Sequence, residues 1–93
     1  MDIKIPTINN MVVSSETRRT HKALVEMIAD VKAGQDQKVS LFMLQHHISV
    51  LETQKYNAKL LDLGTSVEQN AMVIKMAKQL KEHVLTHQHG ALD

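Results

Sequence analysis

Two runs of apolar residues at helical spacing, separated by a few polar positions, constrain this chain more than any other feature. Leu24, Met27, Ile28 and Val31 recur at i, i+3, i+4 and i+7 and share one face of a helix. Leu41, Leu44, Ile48 and Leu51 step by three, four and three, like one seam of a coiled coil. Between them Gly34-Gln35-Asp36-Gln37-Lys38 leaves room only for a tight turn. A connection this short makes the two helices antiparallel neighbours, a hairpin in which each stripe covers the other. Leu24, Ile28, Val31, Leu41, Leu44, Ile48 and Leu51 are the residues expected to zip it together.

Punctuation residues place the ends. Ser14 or Ser15 can cap the first helix, Glu16 suits its positive first turn, and Gly34 can take the left-handed conformation just past its last turn, so it spans roughly 16–33. Asp36 can cap the second helix, which runs long, over roughly 38–63. Past Leu51 its seam meets Lys55, and the apolar stripe moves to Tyr56, Leu60, Leu63 and Val67. A helix with two successive apolar faces meets two neighbours. Gly64 reads as a terminator, and Thr65-x-x-Glu68 matches a capping box, which predicts a break and a third helix over roughly 66–87. In that helix Val73, Ala77, Leu80 and Val84 form one apolar line, and Val67, Ala71 and Ile74 another.

The ends of the chain differ from this middle. Residues 1–13 carry Ile3, Ile5 and Ile8 around Pro6, with Asn9-Asn10 as a turn signal, and read as an extended or flexible arm. Residues 88–93 have no periodicity and are expected to fray. The expected architecture is therefore all-α and a single domain, 1–93: a helical hairpin or three-helix bundle with a long second helix and an extended N-terminal arm.

Composition narrows the function. A chain of 93 residues buries only about 60–65% of its unfolded surface, so its own core is thin. Aromatic residues make up 2%, namely Phe42 and Tyr56, which leaves the core to aliphatic side chains suited to helix packing. Eleven basic residues against ten acidic ones give a net charge of +1, with no bulk attraction to nucleic acid or an anionic membrane. There is no cysteine, hence no disulfide, zinc–thiolate site or thiol nucleophile. No apolar run is long enough to span a bilayer, and no signal-peptide pattern opens the chain, so it is expected in the cytoplasm or exported without a cleaved signal. Of six methionines, Met27, Met43, Met72 and Met76 fall in or beside the apolar stripes, where they fill a core or present an adaptable surface.

No catalytic constellation is visible. A nucleophile elbow and a phosphate-cradling glycine loop are both missing, and the acidic residues are scattered singly, so the chain is not expected to be an enzyme. His83 and His87 are spaced i, i+4 and could meet a divalent metal if a third ligand approached, with His89 near in sequence. They read as exposed helix histidines, and no metal or cofactor is expected. The run Arg18-Arg19-Thr20-His21-Lys22 reads as a solvated face. Its alternative is a small nucleic-acid-binding regulator using Arg18, Arg19 and Lys22.

The central stretch Val39-Ser40-Leu41-Phe42-Met43-Leu44-Gln45-His46-His47-Ile48-Ser49-Val50-Leu51, followed by Tyr56-Asn57-Ala58, resembles the helical segment of bacterial type III secretion axial subunits, the inner-rod and needle proteins. That resemblance covers about a third of the chain. It implies a short helical subunit that polymerises and is exported without a cleaved signal. It agrees in kind with the reading of the residues, a structural or interaction protein forming a homo-oligomer or binding a helical partner. The surplus stripe expected to make the association is Leu60, Leu63, Val67, Ile74, Met76 and Leu80.

Overall fold

A computed structural model describes the backbone of residues 2–92 and the side chains of residues 2–87. It is an all-α bundle of three helices: α1 (Ser15–Lys32), α2 (Leu41–Leu60) and α3 (Gly64–Leu92), with a 3-10 turn (Asp36–Lys38) between the first two and no strand among the described residues. The particle measures 46 × 19 × 18 Å. The third helix is the longest, at 29 residues against 20 for α2. Among the described residues no helix is long and apolar enough to cross a membrane. The expectation of a frayed tail falls on residues 88–93, whose side chains lie outside those described.

Serine caps both of the first two helices. Ser14 Oγ accepts from the Thr17 amide and Ser40 Oγ from the Met43 amide, each at 3.2 Å. Asp36, expected to cap α2, instead opens the 3-10 turn. Both helices then close in the same way. After α1, Gly34 takes φ +79°, its amide bonds Val31 O and the Gln35 amide bonds Asp30 O. After α2, Asp62 takes φ 58°, its amide bonds Lys59 O and the Leu63 amide bonds Ala58 O. This paired pattern satisfies the last free carbonyls through one left-handed residue.

The break between α2 and α3 is therefore where expected, but Asp62 makes it and not Gly64. Gly64 is the first residue of α3, so Thr65 and Glu68 stand inside the helix and the predicted capping box is not its start. The two glycines should respond oppositely to substitution. Nothing lies within 4 Å of a Cβ built at either. At Gly34 the cost is then purely backbone, and Gly34→Ala should lower stability by about 1–2 kcal/mol. Gly64→Ala, in a helical conformation, should raise it by up to about 1 kcal/mol. Denaturant titration of the two variants checks the pair.

The most extensive packing is between α2 and α3, with α1 laid mainly across α2. Leu24, Ile28 and Val31 of α1 meet Leu44, Ile48 and Leu51 of α2 and Val73, Met76, Ala77, Leu80 and Val84 of α3 in one core. The arm is extended and docked. Ile3 and Val13 are buried, and Ile8 packs against the core. Polar contacts fix its path: the His21 ring donates to Pro6 O at 3.0 Å, and the Asn9 amide donates to Gln69 Oε1 at 2.7 Å. Near the α1 start, the buried Thr17 hydroxyl donates to Asn70 Oδ1 at 2.8 Å, and Asn70 Nδ2 donates to Ser66 O at 2.8 Å. No buried side-chain polar atom lacks a partner among the described residues.

Candidate functional site

Helix α2 buries Leu44, Ile48, Leu51 and Ala58 on one side. At 100° per residue the opposite side carries Phe42, His46, Ser49, Thr53, Tyr56 and Leu60. Phe42 is 80% exposed, Tyr56 61% and Leu60 67%. Both aromatic residues of the chain thus stand in solvent on one stripe, about 27 Å long at 1.5 Å per residue. The six positions alternate by four and three, a second heptad seam on the same helix. Its middle is flat: Ser49 is small, and the Thr53 hydroxyl donates back to Ser49 O at 3.0 Å.

The expected association residues divide between two places. Leu60 and Leu63 are exposed and Val67 is half-buried. Ile74, Met76 and Leu80 are core residues, at 8%, 1% and 0% exposure, and are not available to a partner. The reason is the α2–α3 contact. The face of α3 around Val73, Ala77 and Leu80 is broad enough to take in Ile74 and Met76, and α2, α1 and the arm cover it. Phe42 joins this surface without being among the expected association residues. Its signal is its place on the helix, directly opposite the Leu44–Leu51 seam. Near the α2–α3 turn Leu61 and Leu63 line a shallow groove with Met11, which extends the exposed apolar surface around that end.

The basic run is divided as well. The Arg18 guanidinium donates to Asn10 O at 2.8 Å and Val13 O at 2.9 Å, holding the arm against the start of α1. Arg19 lies 3.7 Å from Glu16, both exposed, a pairing of little energetic consequence in water. Lys22 is exposed. The three cations do not form one free patch.

A second constellation lies near the far end of α3. His83 and His87 stack with ring centroids 3.9 Å apart and planes tilted by 31°. Asp36, in the turn between α1 and α2, reaches the same spot, its Oδ2 3.7 Å from His83 Nε2, which is too long for a hydrogen bond. One ligand atom from each of the three residues lies within 4.8 Å of the others. His87 Nδ1 is 3.0 Å from His83 O. A carbonyl only accepts, so this nitrogen carries a hydrogen, and in the neutral ring the lone pair is on Nε2. Desolvation lowers the His83 pKa, the His87 ring adds to the effect, and Asp36 opposes it. The spacing of the two histidines is legible in the sequence, whereas the third group, Asp36, arrives only through the tertiary fold. Set against known proteins, the chain matches no family model, no curated protein and no solved structure.

Proposed function

We propose that this chain is a non-enzymatic helical assembly subunit that pairs with a second copy of itself through the outward face of α2. The observation that carries the reading is the symmetry of the exposed stripe. Phe42 and Leu60, His46 and Tyr56, Ser49 and Thr53 are each centred on position 51. Two antiparallel copies of α2 related by a two-fold axis therefore set Phe42 against Leu60 at each end, with the small Ser49 and Thr53 side chains at the axis where the helices approach. An isologous contact needs such self-complementarity. Burial of two exposed aromatics and a leucine per copy supplies the driving force, each large side chain contributing about 1.5–3 kcal/mol when fully covered.

The resemblance of Val39–Leu51 to type III secretion axial subunits supports the same class of role, since Phe42 and the centre of the stripe fall within it. On that likeness the chain would serve as a component of a secretion apparatus. The nucleic-acid alternative has less support, because Arg18 is already engaged by two backbone carbonyls.

Light scattering across a concentration series tests the pairing. The wild-type chain should show the mass of a dimer that dissociates on dilution. Phe42→Asp with Leu60→Asp should give a monomer of unchanged helicity, since both side chains lie outside the core. A wild-type chain that remains monomeric at its solubility limit, or a double variant with undiminished mass, refutes the assignment.

A further inference from the structure

We propose that Asp36, His83 and His87 form a binding site for one divalent transition-metal ion of the zinc class. The three side chains come from two elements far apart in sequence. His83 and His87 share a face of α3 because they are one helical turn apart. Asp36 is brought to them by the tight closure of α1: the Gly34 and Gln35 amides bond back into the helix, and Val39, just past the turn, is buried in the core. The turn therefore has little freedom to carry its carboxylate elsewhere.

The distances suit a metal better than the contact now present. Ligands at 2.0–2.1 Å from a tetrahedral ion stand roughly 3.3 Å apart. The His83–Asp36 pair is at 3.7 Å, and all three ligand atoms fall within 4.8 Å, so side-chain rotation alone can close the set. The ring of His87 is already oriented. Its Nδ1–H donates to a backbone carbonyl, the arrangement by which proteins fix the tautomer of a metal-binding imidazole, and this tautomer leaves Nε2 as the ligand atom of the neutral ring. His87 is exposed while Asp36 and His83 are half-buried, so an ion can enter from solvent and complete its coordination with water. Two imidazoles and one carboxylate favour zinc, cobalt, nickel or copper over calcium or magnesium, which prefer all-oxygen sites. A bound ion would link the α1–α2 connection to α3 at the end of the bundle distant from the α2–α3 turn.

Calorimetric titration of the full chain, carrying no histidine tag, with zinc chloride and then cobalt chloride tests this. One ion per chain should bind, and the melting temperature should rise with zinc and fall back on adding a chelator. His87→Ala removes an exposed side chain and should leave the metal-free melting temperature unchanged while weakening zinc binding at least about tenfold; Asp36→Asn should weaken it similarly. His46→Ala with His47→Ala should bind as the wild type does. Absence of a wild-type isotherm overturns the site. Equal affinity in Asp36→Asn, or loss of binding in the His46/His47 variant instead, overturns the three-residue assignment, and competition by calcium at equal concentration overturns the metal class.

Discussion

Leu80→Ala should be among the most damaging single substitutions in this chain, costing about 2–5 kcal/mol. Leu80 is fully buried on the broad face of α3, in the same core cluster as residues of α1 and α2. Truncation removes its transfer free energy and leaves a cavity that three helices cannot all collapse into. Small domains have a total stability of only about 5–15 kcal/mol. A domain of this size loses about 4–8 °C in melting temperature per kcal/mol, so the expected fall is at least about 8 °C. The informative comparison is Leu60→Ala. Both leucines belong to the apolar stripe that the sequence presents for association, yet Leu60 is 67% exposed. Its truncation should change the stability of the single chain by less than about 0.5 kcal/mol. Thermal melts of the two variants at low concentration separate the roles: equal losses would mean that Leu60 is buried after all, and no loss at Leu80 would displace it from the core.

Asn70→Leu should cost about 2–3 kcal/mol through a different mechanism. Asn70 is 1% exposed, and its amide accepts from the Thr17 hydroxyl while donating to Ser66. These bonds join the first turn of α1 to the first turns of α3. Replacing the amide by an apolar group leaves the Thr17 hydroxyl, itself fully buried, with only the longer Ser14 contact at 3.2 Å. A buried polar group that loses its partner carries the full cost of desolvation, whereas apolar replacement of both partners can be nearly neutral. Thr17→Val combined with Asn70→Leu should therefore be more stable than Asn70→Leu alone. A double-mutant cycle in denaturant measures the coupling, and simple additivity of the two losses would show that the contact contributes nothing.

Much of the secondary structure is legible without any structure, for a local reason. A cap at Ser14 or Ser15, Gly34 as a left-handed closure and the stripe Leu24–Ile28–Val31 are decided by residues within a few positions of one another. The same locality explains why the second break is made two residues before its strongest signal. Gly64 and the Thr65–Glu68 pair are strong signals, but a short Asp62 turn satisfies the α2 carbonyls first, and α3 begins before the capping box. Asp enters the left-handed region only occasionally, so its identity is a weaker signal of the turn than the glycine two residues on.

The candidate sites divide along the same line. The apolar periodicities and the His83–His87 spacing are properties of the chain alone, set by 3.6 residues per turn, and they determine an all-α protein with more than one apolar helix face. Which face is buried is not local information. Ile74, Met76 and Leu80 on one side, and Phe42, Tyr56 and Leu60 on the other, are comparably apolar in sequence; only the α2–α3 packing sends the first set inward and leaves the second in water. The arrival of Asp36 beside two histidines is likewise a tertiary event. Burial and ligand clustering depend on which surfaces meet in space, and the free-energy gain that chooses among pairings is summed over the whole core.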